Sequence, residues 1–209
     1  MHRGWAALAM AALVLASSTA CTSDDAPDGP MTTAVTTPAT TTAPPSPTPT
    51  ATPTAAAEGP IDRTDTDLGI IFTDLPDVTG DAKAAVDVYT LYEADFWKAL
   101  TTAKIPAELR AITSPAVYTN VKSQVDGNAK AGTTLSGANR VQLVDVKADA
   151  DSASIETCQV SSDWLFTLKD GSTKTGPEAG FDPIIIKVTM THAAGSPWTV
   201  DTYTAGDAC

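Results

Sequence analysis

Asp81-Ala-Lys-Ala-Ala-Val-Asp-Val-Tyr-Thr-Leu-Tyr-Glu-Ala-Asp-Phe-Trp-Lys-Ala-Leu-Thr-Thr-Ala103, DAKAAVDVYTLYEADFWKALTTA in one-letter code, is the stretch that decides the fold. Ala85, Val88, Tyr89, Tyr92, Phe96, Ala99, Leu100 and Ala103 recur at steps of three and four. That spacing lines one wide apolar face of an amphipathic helix, which must be buried against something else. Thr79-Gly-Asp81 supplies its start, with Asp81 expected to cap the free amides. Just upstream, Leu68-Gly-Ile-Ile-Phe72 is a short apolar run among aspartates, expected as an extended piece that packs on the domain.

Downstream the helical signals shorten and then stop. Pro106 opens a short helix through Ile112, and Ser114-Pro115 repeats the pattern of a cap followed by a first-turn proline. On that third helix Val117, Tyr118, Val121 and Val125 share a face, and Gly127 or Gly132 ends it. Past Gly132 the period falls to two. Val141, Leu143, Val144 and Val146 alternate with a slip between Leu143 and Val144, which predicts a bulge. Ala153 to Val160 alternates next. Trp164, Phe166 and Leu168 then mark a strand that ends at the turn Lys169-Asp-Gly-Ser172. Ile184, Ile186, Val188 and Met190 alternate with Lys187, Thr189 and Thr191, and Trp198, Val200 and Thr202 follow Gly195-Ser-Pro197. Three helices followed by four or five antiparallel strands predict an α+β domain, with the helices packed on one face of a bent sheet.

The first 60 residues have a different character. Arg3, the apolar run Trp5 to Ala16 and the small residues Ser17 to Ala20 form the three parts of an export signal over residues 1–20. The apolar run is about half the roughly 20 residues a spanning helix needs. Ser18 and Ala20 suit ordinary signal peptidase, which would cut before Cys21. Residues 21–60 begin with Asp24, Asp25 and Asp28 and run on as a Thr/Pro/Ala tract that includes TTTAPPSPTPTATPT. A segment with so little aliphatic bulk buries no core, and its prolines favour extended backbone. It reads as a disordered linker with a reach of tens of ångströms, on the order of 100 Å at full extension. Residues 61–209 are left as one domain of ordinary size.

Charge and cysteine count narrow the partners. The formal net charge is −12 before the signal and its Arg3 are removed. Acidity of that size opposes nucleic acid and anionic lipid headgroups. The sequence holds three cysteines, an odd number for an exported chain. With Cys21 carrying lipid, Cys158 and Cys209 are left to pair as a disulfide; without lipid, Cys21 would stand as a free thiol at the mature N-terminus.

Ser18-Thr19-Ala20-Cys21 resembles a lipobox, the processing site of bacterial lipoproteins, with Ser18 where the motif usually carries leucine. The long helix, short helices and antiparallel meander of residues 65–209 resemble the NTF2-like (cystatin-like roll) superfamily. The stalk, the strand cysteine Cys158 and the closing WTVDTYTAGDAC resemble secreted lipoproteins of actinobacteria. The resemblance implies a cone formed by helix and sheet, and a chain held by a lipid on Cys21 to the outer face of the cell membrane. Members of the superfamily include ketosteroid isomerases, dehydratases and polyketide cyclases as well as non-catalytic domains, so fold alone does not assign an activity.

Few residues offer chemistry. His192 is the one histidine after the signal, zinc-type spacing is absent, and neither a Gly-x-Ser-x-Gly elbow nor a phosphate loop occurs, so no cofactor or metal is expected. Candidate pocket residues are Tyr89, Tyr92, Asp95, Tyr118 and Trp164, with Asp163 beside Trp164. Isomerase-type relatives place a carboxylate and a tyrosine or acid inside the cone. No residue here matches a family motif, and tyrosines also serve simply to bury rings and keep hydroxyls at a rim. The reading adopted is a membrane-anchored extracytoplasmic lipoprotein with a non-catalytic binding or accessory domain. Its partner would be a small hydrophobic ligand or an envelope protein. The rival is a cone-pocket enzyme of isomerase, dehydratase or cyclase type, with Asp95 or Asp163 as base.

Overall fold

The computed structural model describes residues 59–209. The expected signal at 1–20, Cys21 and nearly all of the 21–60 linker lie outside the described residues. Within them the chain is α+β. A strand, β1 (Ile70–Thr73), precedes two helices, α1 (Gly80–Thr102) and α2 (Pro115–Ala131). Seven strands follow: β2 (Thr134–Gly137), β3 (Asn139–Ala148), β4 (Ser152–Val160), β5 (Trp164–Thr167), β6 (Thr173–Thr175), β7 (Ile184–Thr191) and β8 (Thr199–Ala208).

The helix α1 is buried over a wider arc than the apolar spacing predicts. Ala85, Tyr89, Tyr92, Phe96 and Ala99 are buried as expected, and so are Val86, Glu93 and Trp97. The arc widens because the helix is covered twice. The sheet takes one flank, and the segment before β1 takes the other, where the Trp97 indole Nε1–H donates to the Leu68 carbonyl at 3.0 Å. Thr79, not Asp81, occupies the N-cap, and it makes no side-chain capping bond. Asp81 lies inside the first turn, where its charge still complements the positive end of the helix dipole. The short middle helix is reduced to one 3-10 turn at Ala107–Arg110 that buries Leu109. Helix α2 starts as its sequence predicts, with Pro115 in the first turn and the Ser114 hydroxyl accepting from the Val117 amide at 3.3 Å. Gly132 ends it in the left-handed conformation at φ 66°.

The strands form two sheets where the alternation pattern suggests one. A five-stranded sheet runs in the order β1-β3-β4-β7-β8, and a small antiparallel sheet in the order β2-β5-β6. Two features account for the difference. The lead-in run is a true edge strand, with Ile70 and Phe72 buried, and it pairs in parallel with β3. Parallel pairing needs a long crossover, which α1 and α2 supply. The strand carrying Trp164 leaves the main sheet because it has a partner with almost no apolar signature, Thr134-Leu-Ser-Gly137. The slip read between Leu143 and Val144 is a bulge against β4, which leaves Val144 exposed.

Close backbone contacts hold the two sheets at a corner. A Cβ on Gly69 would sit 2.1 Å from the Gly137 carbonyl oxygen, and one on Gly137 would sit 2.0 Å from that of Asp163. Both residues have positive φ, 84° and 91°. Only glycine permits three backbones to stack this closely. Around the corner the Asn139 amide donates to the Gly69 carbonyl at 2.7 Å.

The sulfurs of Cys158, on β4, and Cys209, just past β8, are bonded, with Cα atoms 5.9 Å apart and a sequence separation of 51. Their bridge clasps the edge strand β8 over the start of β7, where the Cys209 amide donates to the Pro183 carbonyl at 3.3 Å. No helix among the described residues is long and apolar enough to cross a membrane.

Candidate functional site

Between α1, α2, one face of the main sheet and the small sheet lies an open cleft of about 790 Å³. That is within the usual range for a small-molecule site. Its walls come from separate parts of the fold: Tyr92, Phe96, Trp97 and Leu100 from α1, Leu135, Trp164 and Phe166 from the small sheet, and Ile184, Ile186 and Tyr203 from β7 and β8.

Aromatic rings run around it. Tyr203 meets Tyr92 at 5.4 Å and Phe96 edge-on at 6.0 Å. On the opposite side Trp97 meets Trp164 at 5.3 Å, and Phe181 stacks on Phe166 at 5.1 Å with 17° between the ring planes. Phe181 is 46 % exposed and stands at the mouth. The polar groups are neutral, amides and hydroxyls, with one exception. Asn120, Gln124 and Asn128 form an i, i+4, i+8 stripe along α2, and Asn139 and Gln159 lie deeper. Asp201 is the single charged residue of the lining.

Behind the cleft wall sits a buried polar cluster. The Tyr89 hydroxyl donates to Glu93 Oε1 at 2.9 Å, so Thr157 must supply its own proton in the 2.9 Å contact between their hydroxyls. Gln159 Nε2 donates to the Tyr203 hydroxyl in a long contact of 3.4 Å. The Tyr203 hydroxyl lies near enough to Glu93 to favour its ionised form, but it closes no hydrogen bond to Oε2, which is buried without a partner. Burial dominates and pushes the Glu93 carboxyl up from its ordinary 4.5 to about 7, against the opposing pull of the Tyr89 hydrogen bond and the nearby Tyr203 hydroxyl. Burial, and next the neighbouring Glu93 charge, raise the hydroxyls of Tyr89, Tyr92 and Tyr203 well above their ordinary range, so all three stay neutral.

The candidate residues divide. Tyr92 and Trp164 line the cleft, and Tyr89 sits beneath it in the buried cluster. Asp95 and Tyr118 do not reach it. Asp95 lies on the far flank of α1, in a shallow groove with Arg63 and Lys98, and desolvation followed by the charge of Glu108 raises its pKa. Tyr118 turns its ring to Arg110, whose guanidinium carbon is 5.5 Å from the ring centre. Asp163 makes an exposed ion pair with Arg140 at 3.2 Å. His192 stacks on Trp198 at 5.2 Å, with Nδ1 3.2 Å from the Ala150 carbonyl oxygen. Neither acid is therefore placed as a base for a ligand in the cleft. Among the described residues no group of three or more His, Cys, Asp or Glu could hold a metal ion.

Several residues of the site escaped the sequence reading, Asn139, Gln159 and Phe181 among them, and two other misses are instructive. Glu93 had a visible signal, since it lies four residues from both Tyr89 and Trp97, but it fell outside the arc counted as apolar. Tyr203 had a misleading one. Alternation from Trp198 and Val200 points Thr202 inward and Tyr203 outward. In the structure Met190 pairs with Val200 while Thr189 pairs with Thr202, so Asp201 is an extra residue that reverses the phase. Thr202 faces solvent and Tyr203 turns to the cleft.

No family model and no curated protein matches this chain. Among solved structures it is similar to the intermembrane space region of the chloroplast protein ARC6, at 10% identity and a TM-score of 0.48, over 63% of this chain and 100% of that one. A likeness at that level carries no argument about function.

Proposed function

We propose that the chain is an extracytoplasmic lipoprotein whose domain, of the NTF2-like cone type, binds a small hydrophobic ligand in the aromatic cleft without transforming it. The observation that carries this reading is the cleft itself, open and walled by rings from α1 and from both sheets. Lipid on Cys21 and the 21–60 stalk would hold the domain off the outer face of the cell membrane. Glu93 favours a rival enzymatic reading, because a carboxyl with a pKa of about 7 suits a general base at neutral pH. It does not line the cleft, however, and a ligand would meet Tyr92, Tyr203 and Gln159 first.

The binding test uses N-phenyl-1-naphthylamine, an uncharged dye that fluoresces in apolar surroundings. The exported Cys21→Ser chain should bind one dye and enhance its emission. Ala116→Trp, an exposed position on the cleft wall at the start of α2, should weaken binding by about tenfold or more through steric filling. No enhancement, or enhancement indifferent to Ala116→Trp, would remove the cleft as the binding site. The anchor is tested separately. The native chain should fractionate with membranes and Cys21→Ser should appear in the medium, and equal release of both would sink lipidation.

A further inference from the structure

We infer that the cleft selects an uncharged amphiphile: an apolar body with a neutral head that both donates and accepts hydrogen bonds, such as a primary amide or an alcohol. This rests on the cleft being a ligand site and adds which chemistry it takes. The first argument is charge. The lining contains no lysine, arginine or histidine, so a carboxylate or phosphate brought in would lose its hydration with no cation to replace it. A cationic head would find only Asp201, half-buried on β8.

The second argument is two polar atoms left without partners. Trp164 Nε1, a donor, and Asn139 Oδ1, an acceptor, are both buried and both unbonded. Trp164 is 8 % exposed and Asn139 2 %. Buried polar groups in folded proteins are almost always paired, and leaving them unpaired is costly. Both residues belong to the cleft wall. They are also neighbours in the fold, because Trp164 pairs with Gly137 across the small sheet and Asn139 follows two residues later at the glycine corner. A head that accepts from the indole and donates to the amide oxygen would complete both groups at once. A bare hydrocarbon would leave both orphaned.

The test displaces N-phenyl-1-naphthylamine from the exported Cys21→Ser chain with four probes of one chain length: decanamide, decanoate, decylammonium and n-decane, at about pH 8, where the acid is ionised and the amine still carries its charge. Decanamide should compete at concentrations about tenfold or more below those of the other three. Trp164→Phe, which removes the indole N–H, and Asn139→Leu should each cut the amide's advantage over n-decane, measured in the same variant, severalfold. The wild-type ranking stands as a test even if a variant folds poorly. Decanoate matching or beating decanamide would overturn the inference. So would decylammonium binding best, which would put Asp201 in charge of the head, or an amide advantage untouched in both variants. Failure of the dye itself to bind would strike the ligand-site reading, whereas equal displacement by all four probes would strike only the choice of head.

Discussion

Cys209→Ser should destabilise the domain by about 4 kcal/mol and lower its melting temperature by roughly 8 to 16 °C. The bridge to Cys158 closes a loop spanning 51 residues, and losing a closure of that length releases the corresponding entropy to the unfolded chain. The effect should be structural as well. β8 is an edge strand that pairs with β7 along its length; its outer side is tied only near its start, where Val200 and Asp201 bond the segment before α2, and its register with β7 shifts twice, between Ile184 and Ile186 and between Thr189 and Met190. The clasp at Cys158 sits beyond the first of these shifts. Releasing it should free the last residues of β8 before the rest of the sheet, and amide exchange from Ala205 to Ala208 should accelerate more than exchange in β4. Thermal melts and a nonreduced peptide map check both points. A melting temperature unchanged within two or three degrees would mean that the bridge does not form.

The second large effect is a fall in stability with rising pH caused by one group. Glu93 has a carboxyl raised to about 7 by burial. In the unfolded chain the same group releases its proton near the ordinary 4.5. Between those values the folded state holds more protons than the unfolded state, so stability must decline as pH rises. The decline begins above about 4.5 and is complete above about 7. Integrated over that window it is on the order of 3 kcal/mol. No lysine, arginine or histidine contributes to the shift, and the groups facing Glu93 are Tyr89, Tyr92 and Tyr203, which stay neutral throughout the window. Glu93→Gln keeps an acceptor for the Tyr89 hydroxyl and cannot ionise. The difference between the two unfolding curves, measured from about pH 5 to pH 8, should therefore grow in favour of the variant, with every other titrating group cancelling. Parallel curves would show that Glu93 titrates normally and that water reaches it.

Glu93 also shows how the legible and illegible parts of this protein divide. The start of α2 at Ser114 and Pro115 and the bulge after Leu143 were readable, and the end of α2 was narrowed to Gly127 or Gly132, of which the fold uses Gly132. Each depends on residues within a few positions of one another. A cap needs one side chain and an amide three residues on, and a phase slip is visible in the run that contains it. The cysteine pair was readable for another reason, because counting thiols in an oxidising compartment needs no geometry. Even local reading fails where two signals compete, as at Thr79 and Asp81, where the capping position and the first-turn acid are two residues apart.

The residues alone settled that the domain is α+β, which face of α1 is broadly apolar and which strands alternate, since these are properties of short periodic segments. Tertiary structure decided that β1 pairs in parallel with β3, that β5 leaves the main sheet for β2, and that three backbones meet at Gly69 and Gly137. It also decided the site. Tyr89 and Glu93 lie on one helix, but Thr157 comes from β4 and Tyr203 from β8, turned inward by the extra residue Asp201. Periodicity tells which side of an element seeks a partner and nothing about what meets it there. A buried acid between tyrosines, and a cleft with an unpaired indole and an unpaired amide, arise only when segments more than 100 residues apart in the chain are brought to one place.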